Sequence, residues 1–317
     1  MANYLVTGGA GFIGSHLVEE LLRRGERVRI LDDFSTGRRE NLPPAGACEV
    51  IEGDIADPAI AVRAVAGCDF VLHQGAIPSV PRSIKEPLAT HRANIDGIVN
   101  ILVAARDARA KRVVFAGSSS VYGNSAVLPK REDMRPSPLS PYALHKLVGE
   151  QYCQMFTQLY GLETVVTRYF NVFGPRQQPG SPYSGVISLF IEAIATNTAP
   201  TVYGDGKQTR DFTYVGDVVN GVLRACTAPK AAGEVINVAA GGRVSLLELI
   251  HSLQHILGSH VEPVFKPSRE GDVHDSQADI FKARQILGFE PTTSFEDGLR
   301  RTVDWYQQAR AAAGSRA

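Results

Sequence analysis

Two groups of residues in this chain have types and spacings that can do chemistry together. Thr7-Gly8-Gly9-Ala10-Gly11-Phe12-Ile13-Gly14 lies at the start, and Tyr142-Ala143-Leu144-His145-Lys146 lies well downstream. The first can seat a dinucleotide pyrophosphate. The second can hold a reactive phenolate beside it, because a helix puts residues four apart on one face. A tyrosine phenol titrates near ~10, too high for an efficient base at neutral pH. The Lys146 ammonium and a positive nicotinamide ring are expected to favour the phenolate and lower that value. Ser118, at the end of an apolar run over 112–116, can orient the same substrate hydroxyl. Together these residues point to hydride transfer at a hydroxyl-bearing carbon.

The elements around them fit that use. Residues 3–7 read as a buried strand, and 12–24 place Phe12, Ile13, Leu17, Val18, Leu21 and Leu22 at helical spacing. Gly8 permits the tight turn between them, Gly11 lets the backbone approach phosphate oxygens, and Gly14 lets the helix pack close. The helix N-terminus then faces the pyrophosphate with its free amides and positive dipole end. Residues 28–31 read as the next strand, ending in Asp32, where a carboxylate takes the ribose hydroxyls and repels the extra phosphate of NADP. NAD is therefore the expected cofactor, with Arg38 and Arg39 the residues that could instead hold that phosphate. Asp54-Ile55, after a strand-like 48–51, is placed to reach the adenine.

Further strand-like segments at 70–73, 112–116 and 164–169 alternate with helical ones at 94–108 and 142–160. This alternation predicts an α/β fold, a doubly wound parallel sheet with helices on both faces. Ligands should gather at the carboxyl ends of its strands, where Gly8, Asp32, Asp54, Ala76, Ser118 and Asn171 fall. Beyond residue 174 turn formers interrupt the pattern, followed by helices at 186–196, 245–257 and 295–310 and a short strand at 200–203. We expect a dinucleotide-binding domain over 1–173 plus about 213–240, the latter stretch returning to the sheet. A smaller mixed α/β substrate domain would cover 174–212 plus about 241–310, and the alanine-rich 311–317 would fray.

Composition excludes several classes. The 317 residues include 44% hydrophobic and 21% charged residues, with zero formal net charge. No basic block points to nucleic acid, and no apolar run approaches the ~20 residues that span a bilayer. The chain enters a strand at once, with no signal-peptide pattern. Cys48, Cys68, Cys153 and Cys226 are scattered, as expected of thiols in a reducing cytoplasm. The histidines show no metal-ligand spacing.

The chain resembles the extended short-chain dehydrogenase/reductase superfamily, specifically nucleotide-sugar 4-epimerases of the UDP-glucose 4-epimerase type. The likeness rests on residues 7–14, His73-Gln74-Gly75-Ala76, Asn94, 118–123, 142–146 and Arg168-Tyr169-Phe170-Asn171-Val172-Phe173-Gly174. It continues through Tyr203-Gly204-Asp205-Gly206, Gln208-Thr209-Arg210-Asp211-Phe212 and Arg269-Glu270-Gly271-Asp272. Gly75 replaces the alanine more common in this motif.

The resemblance implies that Ser118, Tyr142 and Lys146 are catalytic. It implies NAD contacts from Gly8, Gly11, Phe12, Ile13, Asp32, Asp33, Phe34, Ser35, Gly37, Asp54, Ile55, Gln74, Ala76, Asn94, Tyr142, Lys146, Tyr169 and Val172. The UDP-sugar would meet Ser79, Ser118, Ser120, Asn171, Val186, Tyr203, Arg210, Arg269, Asp272 and Ser276, and two arginines suit a diphosphate. The implied reaction is a closed redox loop: Tyr142 takes the proton of the 4-hydroxyl, hydride passes to NAD, and the 4-keto sugar turns over before hydride returns to its other face. Interconversion of UDP-glucose and UDP-galactose is expected. Acceptance of the N-acetylated pair is expected too, since Ser276 stands where restricted epimerases carry tyrosine. A 4,6-dehydratase or UDP-glucuronate decarboxylase needs a further acid or base, and Ser119 and Ser120 occupy the places where such enzymes carry carboxylates. A ketosugar reductase stays open, and a non-catalytic nucleotide sensor is disfavoured by the intact Ser118, Tyr142 and Lys146. The superfamily also implies a homodimer, through a bundle that includes the Tyr142 helix.

Overall fold

The computed structural model describes residues 1–178, 185–268 and 274–314, so Arg269 and Asp272 lie outside the described residues. Strand β1 (Asn3–Thr7) leads through the glycine turn into α1 (Phe12–Arg23), and β2 (Arg27–Asp32) follows. Next come β3 (Glu49–Glu52), α2 (Pro58–Val65) and β4 (Phe70–His73). Two short helices, α3 (Val80–Lys85) and α4 (Pro87–His91), pass through one π turn at Arg92–Asp96 into α5 (Gly97–Asp107). Then follow β5 (Arg112–Ser118), α6 (Pro141–Tyr160), β6 (Glu163–Tyr169) and the short β7 (Val172–Phe173).

The later part begins with α7 (Val186–Ala195), β8 (Thr201–Tyr203), β9 (Thr209–Arg210) and β10 (Thr213–Tyr214). After α8 (Val215–Thr227), β11 (Val235–Val238) and β12 (Val244–Ser245) come α9 (Leu246–Leu257) and β13 (Val264–Lys266). The described chain closes with α10 (Phe281–Leu287) and α11 (Phe295–Gly314).

Seven parallel strands form the main sheet in the order β11-β6-β5-β4-β1-β2-β3. The order reverses between β1 and β4, where an open sheet of this kind presents a crevice at its strand ends. Burial on both faces explains why the inner strands read as near-continuous apolar runs: Val113, Val114 and Phe115 of β5 are all buried. On one face Leu17 and Leu21 of α1 pack with Val218 and Val222 of α8. On the other, Ala61 and Val65 of α2 meet Ile98 and Leu102 of α5 and Cys153 and Phe156 of α6. A separate core joins Phe190 and Ile194 of α7, Leu249 and Leu253 of α9, and Leu299 and Val303 of α11.

Residues 213–238 return to the main sheet through Val235–Val238, after α8 lays Val218, Val219 and Val222, at helical spacing, on its face. Two expectations need correction. Ala283 and Leu287 of α10 enter the core around α1 and α8, although that stretch was expected in the smaller unit. The last helix continues past Arg310 to Gly314, through Ala311-Ala312-Ala313, as suits alanine's high helix propensity.

Candidate active site

The glycine turn is built by close backbone approaches. Gly8 sits at φ +66° with its amide donating to the Leu31 carbonyl, and Gly11 caps α1 with no side-chain acceptor on the first-turn amides. A Cβ on Gly14 would lie 2.0 Å from the Gly8 carbonyl oxygen. Only glycine therefore lets α1 start this close to the turn. The free amides of Phe12 and Ile13 lie at that helix end, as a pyrophosphate requires.

Asp32 is buried and accepts hydrogen bonds from the amides of Ala10 (2.9 Å) and Phe34 (2.9 Å). Burial raises its carboxyl above the usual range, against the pull of those two amides. The loop beyond it is tightly wound: Phe34 has φ +56°, the Asp33 carboxylate accepts from the amide and hydroxyl of Ser35, and a Cβ on Gly37 would lie 2.5 Å from Asp32. Arg38 pairs with Glu40, while Arg39 pairs with Glu52 and lies over the Phe34 ring. Both arginines are thus engaged locally. Asp54 accepts from the Ala56 amide and faces Arg92 at 3.4 Å, and Ile55 packs beneath Gly97 and Gly75.

At the end of β4, Thr7 accepts the Gly75 amide (3.0 Å) and shares a hydrogen bond with Nδ1 of buried His73 (2.8 Å). Burial, and then the Lys146 charge, pull the His73 imidazole down to about 3, so it is neutral at physiological pH. Gln74 accepts from the Tyr169 phenol, leaving its buried Nε2 with no partner. That orphaned donor, beside Ala76 and the glycine turn, is what a site completed by a polar cofactor should contain. Asn94 spends its carbonyl and one amide hydrogen on the backbone of Ile77, which fixes the loop into α3.

Ser118 ends β5. Its hydroxyl oxygen accepts from both the amide (3.2 Å) and the hydroxyl (2.9 Å) of Ser120, which occupies its lone pairs and frees its own hydrogen for another oxygen. Tyr142 stands at the second position of α6, with Ser118 near enough to its phenol to favour the ionised form. The Lys146 ammonium lies 5.9 Å from the Tyr142 ring and donates to the Ala116 carbonyl at 2.8 Å. Of the two charges expected to lower the phenol pKa, Lys146 is not among the groups acting on Tyr142 in the protein alone. Protein packed around Tyr142 withdraws water and pushes the phenol up, opposed by nearby Ser118, and Lys146 is turned to a carbonyl. Burial also pulls Lys146 down to about 8, with Glu150 resisting.

The residues expected to bind the nucleotide lie on the other side of β6. Asn171, at φ +29°, donates to the Asp211 carbonyl, and Val172 pairs with Thr213. Arg210 donates to the carbonyls of Thr209 and His274, and the Ser276 amide reaches Thr209, so β9 draws Asn171, Arg210 and buried Ser276 into one cluster. Tyr203 lies on β8, its carbonyl accepting from Gln208, and Val186 opens α7. Ser79 caps α3 by accepting the Arg82 amide.

Two contributors escaped the sequence reading. Asp211, buried and pushed up to about 7, accepts amides from Ala240, Gly241 and Ala278 and so ties the end of the 208–212 motif to the segments after β11 and around Ala278. Buried Ser83 contacts Tyr142 from α3. Nothing in the sequence singles out a lone serine in a six-residue helix, whereas Asp211 lies within the 208–212 motif. Among the described residues, no helix is long and apolar enough to cross a membrane.

A family model for the NAD dependent epimerase/dehydratase family matches residues 4–239. The UDP-glucose 4-epimerase of Mycolicibacterium smegmatis is 39% identical over 308 residues, covering 96% of this chain and 98% of that protein. A UDP-N-acetyl-alpha-D-glucosaminuronate decarboxylase of Bacillus cytotoxicus is 37% identical over 96% of this chain and 97% of its own. The solved UDP-N-acetylglucosamine 4-epimerase of Methanobrevibacter ruminantium M1, in complex with UDP-N-acetylmuramic acid, superposes with a TM-score of 0.93 at 38% identity, covering 97% of this chain and 99% of that one. With the glycine turn, the Asp32 strand end and the Ser118–Tyr142–Lys146 group in one fold, the chain belongs to the NAD dependent epimerase/dehydratase family, as an NAD-using enzyme of UDP-sugars.

Proposed function

We propose that this protein is a UDP-sugar 4-epimerase, interconverting UDP-glucose with UDP-galactose and UDP-N-acetylglucosamine with UDP-N-acetylgalactosamine. The observation that carries this reading is the composition of the reacting end of β5. Ser118 lies near enough to the Tyr142 phenol there to favour its ionised form, and positions 119 and 120 hold serines. A dehydratase or decarboxylase needs an additional acid or base at that place. Glu150, close behind Gly117, is held by Arg168 at 2.7 Å.

Bound NAD supplies a hydride acceptor that is also a hydride donor. Phe12 and Ile13 would offer it their amides, Asp32 its carboxylate and Gln74 its unpartnered Nε2. Tyr142 takes the proton of the 4-hydroxyl and later returns it. Ser118 holds that oxygen in line, since its lone pairs are already engaged by Ser120. Lys146, charged at neutral pH, fixes the start of α6 against β5 through Ala116.

Ser276 supports acceptance of the acetylated pair. It is buried, its backbone is held by Thr209, and its small side chain takes little of the space that a tyrosine ring would fill. Exposed Ile84, Leu88, Leu144 and Leu159 on α3, α4 and α6 support a homodimer, a surface that water disfavours.

The test is to incubate the protein with UDP-galactose and with UDP-N-acetylgalactosamine and resolve the products chromatographically. Both should be converted to their 4-epimers, and Ser276→Tyr should suppress only the acetylated pair. Release of carbon dioxide from a UDP-uronate without epimerisation of either hexose would establish the decarboxylase instead.

A further inference from the structure

Helix α6 starts with Pro141, which has no amide hydrogen, so the first amides of the helix in need of acceptors are those of Tyr142 and Ala143. Ser140 accepts from Ala143 at 3.2 Å, as an N-cap does. The Tyr142 amide is met from another helix: the Ser83 hydroxyl oxygen accepts it at 3.1 Å. Ser83 is fully buried and its hydroxyl hydrogen goes to the Val80 carbonyl at 2.7 Å. Its bonding is therefore committed in both directions, from the first turn of α3 to the first turn of α6. Four residues before it, Ser79 caps α3 beside the loop that Asn94 holds.

We propose that Ser83 is a positioning residue that sets Tyr142 against Ser118, coupling the base to the α3 loop expected to meet the sugar. This rests on the epimerase reading for its kinetic consequence. Without the Ser83 oxygen, a partly buried amide on the reactive tyrosine loses its protein acceptor. The first turn of α6 must then shift to find one, carrying the phenol with it. Ser118 nearby lowers the proton affinity of that phenol, so a shifted ring should hold its proton more firmly.

Thr90 gives a control. It is equally buried, but its hydroxyl donates only to Glu86 and Pro87, within and next to α4. Ser83→Ala should lower kcat for UDP-galactose about tenfold, the effect of one misplaced hydrogen bond, with KM within twofold. Ultraviolet difference titration against Tyr142→Phe should show the phenol ionising at higher pH. Thr90→Val should lower the thermal midpoint and leave kcat and that titration unchanged. If Ser83→Ala does not fold, Ser83→Cys, with a poor acceptor of similar volume, should show the same two changes. Unchanged kcat and titration in the Ser83 variant would overturn the proposal. So would losses of kcat that follow stability alike in the Ser83 and Thr90 variants. If the wild type converts no UDP-hexose, the epimerase reading falls, and the titration still decides the role of Ser83.

Discussion

Replacing Gly14 by alanine tests how far the cofactor site depends on one close approach. The new Cβ would lie 2.0 Å from the Gly8 carbonyl oxygen, 2.8 Å from its carbon and 2.9 Å from the Gly9 Cα. All three are backbone atoms, so no side-chain rotation relieves the contact. Helix and turn must separate by about 1 Å, at the ~1–3 kcal/mol usual for overpacking. Alanine's better helix propensity returns at most ~1 kcal/mol. The net loss of about 1–2 kcal/mol should lower the thermal midpoint by roughly 1.5–3 °C in a chain of this size. The larger effect should be on NAD, because the α1 amides move with the helix and ~1 Å of misplacement can cost ~10²-fold. Gly11→Ala separates the two effects. Its Cβ would meet only the Gly8 carbonyl oxygen, at 3.1 Å, and would otherwise project into open space on the side expected to face the pyrophosphate. It should leave the midpoint within ~1 °C, since surface substitutions usually stay within ±0.5 kcal/mol, yet still weaken NAD. Calorimetry of protein stripped of cofactor gives the midpoints, and titration with NAD gives the affinities. A Gly14→Ala protein that binds NAD as the wild type does would refute the reasoning. So would a Gly11→Ala protein that melts as early as Gly14→Ala.

Tyr142→Phe should reduce turnover by ~10²–10⁴, the usual worth of a general base, while NAD content and UDP-sugar binding stay near wild type. More than half of wild-type activity in that variant would rule the role out. Ser118→Ala should cost less, because the base remains. Stability should depend on pH through His73: the unfolded imidazole takes a proton near 6.5, whereas the folded one resists until about 3. The unfolded state therefore binds more protons throughout that window, and stability falls as pH drops from 6.5 toward 3. His73→Asn should flatten this fall in thermal midpoints measured across the window, and equal slopes in both proteins would remove His73 as its source.

The sheet and the reactive residues were legible because each follows from a local pattern. Apolar runs end at Thr7, Asp32 and His73, and helical spacing runs from Phe12 to Leu22. The spacing of Tyr142 and Lys146 carried the catalytic group in the same way. What the pattern did not carry depends on tertiary contacts. Valine-rich α8 is given no element of its own by the sequence pattern, and its valines gain their meaning only from the face they share with α1. Lys146 reads as a neighbour of the phenol, yet its ammonium turns to Ala116, a carbonyl 30 residues away in sequence. Ser83 meets Tyr142 across 59 residues, a relation no window along the chain contains.

The edge position of β11 has a consequence for synthesis on the ribosome. β6 is complete at Tyr169, but the strand that covers its outer edge begins about 65 residues later, at Val235. At ~5–20 residues per second that interval lasts about 3–13 s, plus passage through the exit tunnel. Throughout it, Thr164-Val165-Val166-Thr167 presents unpaired amides and carbonyls on an apolar strand, a template for pairing with another nascent chain. Slowed translation within residues 170–234 should therefore favour aggregation, while synonymous changes that speed this stretch should raise the yield of soluble protein.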